Sequence, residues 1–166
     1  MPDRDRVVVS NTTPIIALAL IKNLDLLQRL YGEVVIPPAV HEEISAGGAG
    51  RVGVIELRDA SYIKMGALSD PDRAALISDL DRGEAEVIAL AQELDADLVI
   101  IDERLARWHA RRLGLNVTGV LGVLLKAKDR GFVKEVKPLI DDLRRGGIWL
   151  SDELVSETLR LAAEQE

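Results

Sequence analysis

Short apolar runs alternate along the chain with longer stretches in which apolar residues recur every three or four positions. The runs are rich in β-branched residues and carry no polar alternation, which is typical of strands buried on both faces of a parallel sheet. The longer stretches have the period of amphipathic helices. The alternation predicts an α/β fold in which helices cover both faces of a central parallel sheet.

The same pattern predicts the individual elements. Strands are predicted at residues 7–10, 33–36, 61–65, 98–101 and 116–118. Helices are predicted at residues 15–21, 24–31, 37–45, 54–57, 70–80, 84–94, 103–113, 119–128, 136–145 and 151–163. Between them, the glycine-rich segment 46–50 predicts a mobile loop. We expect a single domain over residues 1–166, in which about 130–166 form a helical C-terminal extension.

Composition excludes several classes of protein. The net charge is −7, which argues against binding of nucleic acid through overall charge but leaves room for a local basic face. The chain has no cysteine and only two histidines, so any metal is expected to have oxygen ligands, and a zinc site is not expected. It shows neither a signal peptide nor an apolar window of ~18 residues that would span a membrane. We therefore expect a soluble, cytoplasmic protein.

Two predicted strands end abruptly in polar residues. The run 7–9 leads into Ser10 and Asn11, and the run 98–101 leads into Asp102. If these strands are parallel neighbours, Asn11 and Asp102 lie within a few ångströms of each other, because adjacent strands are ~4.8 Å apart. Ligands of open α/β sheets bind at this carboxyl edge of the strands. The two strand ends are thus the first candidate site.

Two glutamates on predicted helices are further candidates. Glu84 falls on the buried arc of the helix 84–94, whereas Glu86 falls on its opposite, polar side. Glu43 flanks the core side of the helix 37–45. A simpler interpretation is also open, in which Glu84 only complements its helix dipole and Glu43 is a solvated surface residue.

A hard divalent cation is the physical reason to gather such groups. Mg²⁺ and Mn²⁺ prefer oxygen ligands in an octahedral shell and usually keep several waters. Without a cation, clustered carboxylates repel one another or take up protons. A cation held in this way can activate water and stabilise the charge that builds up on a phosphodiester.

A basic helical face follows the second strand end. Arg104, Arg107 and Arg111 share one side of the helix 103–113, with Trp108 between them. The arginines are candidates for holding RNA phosphates, and Trp108 is a candidate for stacking on a base. The alternative is a solvated arginine face with Trp108 packed under a neighbouring element. His109 lies nearer the apolar side, where a structural role is expected.

Five segments, taken in their order and spacing, resemble the PIN-domain family. They are SNTTPIIALA (10–19), IPPAVHEEI (36–44), RGEAEVIALA (82–91), LVIIDER (98–104) and VTGVLGVLL (117–125). The resemblance extends over about residues 7–164. More narrowly, the segments look like those of a subgroup of PIN-like nucleic-acid-binding proteins that is related to toxin ribonucleases. It implies a three-layer α/β/α sandwich with a central parallel sheet. It also implies an endoribonuclease that depends on Mg²⁺ or Mn²⁺, often the toxin of a toxin–antitoxin pair.

The resemblance also implies roles for particular residues. It places the second, third and fourth acids of the family's metal site at Glu43, Glu84 and Asp102, and a supporting hydroxyl at Thr13. The first acid, usually Asp, is replaced here by Asn11. An asparagine can coordinate through its carbonyl oxygen, but it carries no charge and cannot act as a general base. RNA is the implied substrate, and the family allows a cognate antitoxin as a partner. The aliphatic C-terminal helices favour a homodimer.

Two other functions compete with a ribonuclease. Asn11 and the net charge of −7 favour a catalytically inactive PIN fold that binds RNA or protein. A receiver-type signalling domain also carries an acidic pocket at the sheet edge. It would need a threonine and a lysine at later strand ends, and the strand 116–118 is followed by Gly119 without a lysine. The receiver interpretation is therefore disfavoured.

Overall fold

Parallel strands form the centre of the molecule. The computed structural model describes residues 6–47 and 52–165. Its strands are β1 (Val8–Ser10), β2 (Val34–Ile36), β3 (Ile63–Met65), β4 (Leu98–Ile100) and β5 (Val117–Thr118). Its helices are α1 (Thr12–Leu20), α2 (Leu26–Tyr31), α3 (Pro38–Ser45), α4 (Val54–Asp59), α5 (Pro71–Ala75), α6 (Arg82–Glu93), α7 (Arg104–Arg112), α8 (Val120–Asp129), α9 (Lys137–Arg145) and α10 (Asp152–Leu161).

The sheet has the order β3-β2-β1-β4-β5, and every adjacent pair is parallel. β1 is therefore the central strand, and β4 is its direct neighbour, with Ser10 opposite Ile100. Helices cover both faces of the sheet, so the predicted α/β/α sandwich with a central parallel sheet is confirmed. The carboxyl ends of β1 and β4 meet at one edge, as the sequence pattern required for a shared site.

The core is aliphatic, as the low aromatic content demands. β1 and β4 are buried on both faces, and helices from every part of the chain pack against them. Ile140 and Leu143 of α9 belong to the same apolar cluster as Val9 and Val99. The C-terminal helices thus share the core of the sheet. Within residues 6–47 and 52–165, no helix is both long enough and apolar enough to cross a bilayer.

Several predicted boundaries are corrected by the structure. α1 begins at Thr12 rather than Ile15, so Pro14 is its third residue. α5 ends at Ala75, five residues before the predicted end of the helix 70–80. Beyond Ala75 the backbone forms turns, and Leu76 is exposed. The loop predicted at 46–50 lies mostly outside the described residues.

The predicted orientation of Glu86 is wrong. Glu86 is only 7% exposed, and its carboxylate accepts a hydrogen bond from the Ala39 N–H at 3.0 Å. It also accepts one from Arg82 Nε at 2.9 Å. The polar side of α6 faces the beginning of α3 rather than water, since the two helices pack together. The first N–H groups of a helix have no intrahelical partner. Glu86 supplies the missing acceptor to one of them, the Ala39 N–H of α3.

Glu86→Ala is expected to destabilise the protein by about 1–3 kcal/mol, because it leaves the buried Ala39 N–H without an acceptor. Urea unfolding followed by circular dichroism measures the change. Glu42→Ala is the matched control, since Glu42 also pairs with Arg82, at 2.9 Å, but on the surface. The control is expected to cost less than about 1 kcal/mol. Equal losses in the two variants would contradict a structural role for Glu86.

Candidate functional site

Asn11 and Asp102 lie at the carboxyl ends of the two central strands. Asn11 directly follows β1, and its backbone N–H donates to the Ile100 carbonyl at 2.9 Å. Asp102 lies two residues beyond the end of β4. Both line one pocket of about 390 Å³, together with Glu84. The predicted parallel pairing of the two strands is confirmed, and it brings these side chains to a common cavity.

The Asn11 side chain is available to this pocket because it does not cap its own helix. Asn11 is the N-cap residue of α1, and asparagine there usually accepts a hydrogen bond from the first turn. Its side chain makes no such bond, although the residue is only 6% exposed. Asp81, by contrast, caps α6 in the ordinary way, accepting from the Glu84 N–H at 2.8 Å.

Asp102 is held by the beginning of α8. Its two carboxylate oxygens accept from the Val120 N–H at 3.1 and 3.2 Å. Burial raises the pKa of Asp102, while this hydrogen bond and the positive charge of Arg107 act to lower it. A Cβ atom at Gly119 would overlap the Asp102 carboxylate and crowd Arg107. Glycine at position 119 therefore leaves the space that the carboxylate occupies.

Glu84 lies in the most strongly acidic part of the site. Burial raises the pKa of Glu84 to about 7, and a hydrogen bond with Asp81 adds to the shift. The negative charges of Asp81, Glu103 and Glu43 raise it further. Glu84 is half-buried and lines the pocket, and it is not among the core residues of α6. Its environment disfavours the ionised form as long as no positive charge is bound nearby.

Glu43 approaches the site from α3 and is oriented by a hydroxyl group. Thr12 Oγ1 donates to Glu43 Oε2 at 2.8 Å. A Cβ atom at Gly83 would lie 3.3 Å from Glu43 Oε2 and 3.8 Å from Asn11 Oδ1. Both oxygens thus face the same small space, which is left open by the missing side chain at Gly83.

Of the remaining predicted residues, Thr13, Arg104 and Trp108 line one or both of two pockets, whereas Arg107 and Arg111 line neither. Thr13 is exposed and lines the pocket of Asn11 and Asp102, as does Arg104. Arg107 is half-buried beside Asp102, whereas Arg111 is exposed farther along α7. Trp108 lines a second, adjacent pocket and is 48% exposed, so it is not packed under a neighbouring element.

His109 has a structural contact. Its Nε2 lies 2.9 Å from Asp79 Oδ2, which ties α7 to the turns that follow α5. The hydrogen bond to His109 lowers the pKa of Asp79. The expectation of a structural role for His109 agrees with this contact.

Sequence reasoning missed four parts of the site. Thr12 rather than Thr13 contacts Glu43, and Glu103 lines the pocket beside Asp102. Asp81 lies between the predicted helices 70–80 and 84–94, and an acid three residues before Glu84 has the spacing of a helix cap. The fourth part is the connection between α9 and α10, including Trp149, which forms one wall of the pocket. No local signal in the sequence indicates that this distant segment returns to the site.

The donor atoms fit a hard divalent cation in their chemistry. The carboxylates of Glu43, Glu84 and Asp102 and the amide of Asn11 supply oxygen ligands, which Mg²⁺ and Mn²⁺ prefer. Over residues 6–47 and 52–165, no three His, Asp or Glu side chains lie close enough together to hold a metal ion. The arrangement therefore suits an ion that takes one or two carboxylates and keeps most of its water, as Mg²⁺ usually does.

Glu84→Gln is expected to stabilise the metal-free protein at pH 8 and to have little effect at pH 5. The pKa of Glu84 is about 7 in the folded state, above its ordinary 4.5, so the fold favours the protonated form. The free energy of unfolding therefore falls as the pH rises from 4.5 through about 7. Glutamine does not ionise, so the substitution removes this loss. After allowance for solvent screening, the gain is about 1 kcal/mol, or about 2–4 °C in Tm.

Thermal unfolding in EDTA at the two pH values measures this effect. Glu93→Gln is the control on the same helix, because Glu93 accepts from the N–H groups of Ser69 and Asp70, which lower its pKa. The control is expected to lower Tm or leave it unchanged at pH 8. If the Tm of Glu84→Gln does not exceed the wild-type value at pH 8, the claim that burial and neighbouring negative charges disfavour ionised Glu84 is refuted.

Comparison with known proteins agrees with this architecture. A family model described as a PIN domain matches residues 7–164, which is nearly the whole chain. No curated protein matches the chain in sequence. The matched region includes every strand of the sheet and each of the acids described above. The chain therefore belongs to the PIN-domain family.

Proposed function

We propose that this PIN domain is an endoribonuclease, a hydrolase of phosphodiester bonds that depends on Mg²⁺ or Mn²⁺. The observation that carries the proposal is the convergence of Asn11, Glu84 and Asp102 on one pocket at the carboxyl edge of the sheet. Glu43 faces Asn11 across Gly83 and completes the set. Between them these four residues are the proposed ligands of one or two ions, each taking one or two carboxylates, and the three acids are the proposed catalytic groups. Thr13, on the pocket wall, is the proposed supporting hydroxyl.

The chain's own residues hold this set in place. The Val120 N–H fixes Asp102, and the Thr12 hydroxyl fixes Glu43, so neither carboxylate turns freely. When bound, Mg²⁺ or Mn²⁺ supplies Lewis acidity, which lowers the pKa of water and stabilises charge on the phosphodiester. Arg104 at the pocket wall offers a guanidinium to an RNA phosphate. Arg107 and Arg111 extend the positive charge along α7.

A toxin–antitoxin role is the finer part of the proposal. The family resemblance suggests a toxin whose activity is restrained by a cognate antitoxin protein. The aliphatic C-terminal helices favour a homodimer, and the exposed Leu161 of α10 is available for such a contact. A small reading frame for a DNA-binding protein next to the gene would support the toxin role.

Wild-type protein is expected to cleave single-stranded RNA in Mn²⁺, and Asp102→Asn is expected to lower the rate by at least about a hundredfold. The asparagine removes a charged ligand while preserving the size of the side chain. Cleavage is followed on a labelled oligonucleotide, with EDTA as the metal-free control. Equal activity in the two proteins would indicate a contaminating nuclease and would refute the proposal.

A catalytically inactive RNA- or protein-binding module is the second candidate. Asn11 favours it, because the first family acid is missing from the end of the central strand. Binding of RNA without Mn²⁺-dependent cleavage in either protein would support this alternative. The same assay therefore separates the two functions.

Asn11→Asp is expected to raise the affinity for Mn²⁺ by about tenfold, which corresponds to about 1.4 kcal/mol. The substitution adds a charged oxygen ligand where the pocket now has an amide. Titration calorimetry measures the affinity. Asn116→Asp is the matched control, since it adds the same charge at the start of β5, on the opposite edge of the sheet. An unchanged affinity in Asn11→Asp would place Asn11 outside the metal site.

A further inference from the structure

Trp149 stands out beside the carboxylate pocket. It lies in the connection between α9 and α10 and is 85% exposed. It lines the same cavity as Asn11, Glu84 and Asp102. Isolated exposed apolar residues are common on protein surfaces, so exposure alone does not indicate a function. The position of Trp149 and the way its neighbours are fixed distinguish it.

The backbone on both sides of Trp149 is anchored. The Arg144 guanidinium donates to the Leu150 carbonyl at 2.7 Å and to Asp152 Oδ1 at 3.1 Å. The Ile148 N–H donates to the Leu143 carbonyl at 3.0 Å. The side chains of Ile148 and Leu150 pack against the core, while the indole between them faces solvent. The loop therefore fixes the backbone from which the indole projects, which lowers part of the entropic cost of binding a ligand there.

Trp108, the other tryptophan, is less suited to the same task. The Arg112 guanidinium lies 4.8 Å from the centre of its ring, and the His109 ring meets its edge at 5.0 Å. One face of this indole is thus already occupied. Trp108 also lines a neighbouring pocket, which shares Glu103 and Arg104 with the pocket of Trp149 but contains neither Asn11, Glu84 nor Asp102.

The surroundings of Trp149 favour a nucleobase as the ligand. An indole face stacks on any base, and Arg104 on the same pocket offers a positive charge for the adjoining phosphate. An apolar protein surface is disfavoured, because it would have to desolvate the carboxylates of the pocket. We propose that Trp149 binds single-stranded RNA by stacking on a base next to the phosphodiester held at the carboxylates. This inference rests on the ribonuclease proposal and names a substrate-binding residue for it.

Binding of RNA tests the stacking separately from cleavage. All proteins carry Asp102→Asn to suppress cleavage, and a labelled oligoadenylate is titrated in Mg²⁺ by fluorescence anisotropy. Trp149→Ala is expected to weaken binding by about tenfold, Trp149→Phe by much less, and the matched control Trp108→Ala by less than about twofold. An abasic oligomer of the same length is expected to bind the Trp149→Ala protein and its parent equally.

Intrinsic fluorescence provides an independent readout, since the chain has two tryptophans. In Trp108→Phe the emission comes from Trp149, and RNA is expected to quench it. In Trp149→Phe the emission of Trp108 is expected to stay nearly constant. Quenching that follows protein concentration instead of RNA would assign Trp149 to a contact between copies and overturn the proposal.

The outcomes separate this inference from the ribonuclease proposal. With Asp102 restored, Trp149→Ala is expected to raise KM for RNA and to change kcat little. Metal-dependent cleavage with an unaltered KM in Trp149→Ala would overturn the stacking role and leave the nuclease intact. Base-dependent loss of binding without cleavage in any protein would support the stacking role and refute the nuclease. An absence of RNA binding in every variant, or an equal loss with the abasic oligomer, would overturn the inference.

Discussion

The parallel pairing of β1 with β4 is the constraint on which the site depends. Ser10 lies opposite Ile100, and the Asn11 N–H continues the ladder to the Ile100 carbonyl. This register brings the residues that follow the two strands to one edge. A shift of one residue would turn the side chains of a strand to the other face of the sheet. The buried valines and isoleucines of both strands prevent such a shift, so the hydrophobic core also fixes the position of the polar groups.

The acids around α6 show how geometry divides similar residues between structure and function. Asp81 caps the helix, Glu86 caps its neighbour α3, and Glu93 accepts from the backbone ahead of α5. Each of these carboxylates is used by N–H groups that would otherwise lack a partner. Glu84 instead lines the pocket, where its neighbours are mainly negative. Glu84, whose surroundings disfavour its ionised form most among these acids, is thus the one best placed to bind a cation.

The site makes the folded state less stable than the sequence would otherwise allow. Crowded negative charge raises the pKa of Glu84, and burial raises that of Asp102. Gly83 and Gly119 leave space around these groups that larger side chains would fill. Such a loss of stability, from crowded charges and unfilled space, is common where a protein keeps a binding site ready for a ligand. Asn11 relieves part of the repulsion, because it places a neutral oxygen at the end of the central strand.

The order of apolar and polar residues predicted the layered α/β fold and its strands, since burial on a sheet or helix leaves a local period in the chain. It also indicated that Asn11 and Asp102 share an edge. The burial of Glu86 depends on packing between helices, because the period of α6 cannot reveal that α3 covers its polar side. Likewise, the position of Trp149 beside Asn11 and Asp102 has no local signal, because segments distant in the chain form the walls of that pocket. Local pattern encodes which side of an element is apolar, whereas packing between elements decides what each polar side meets.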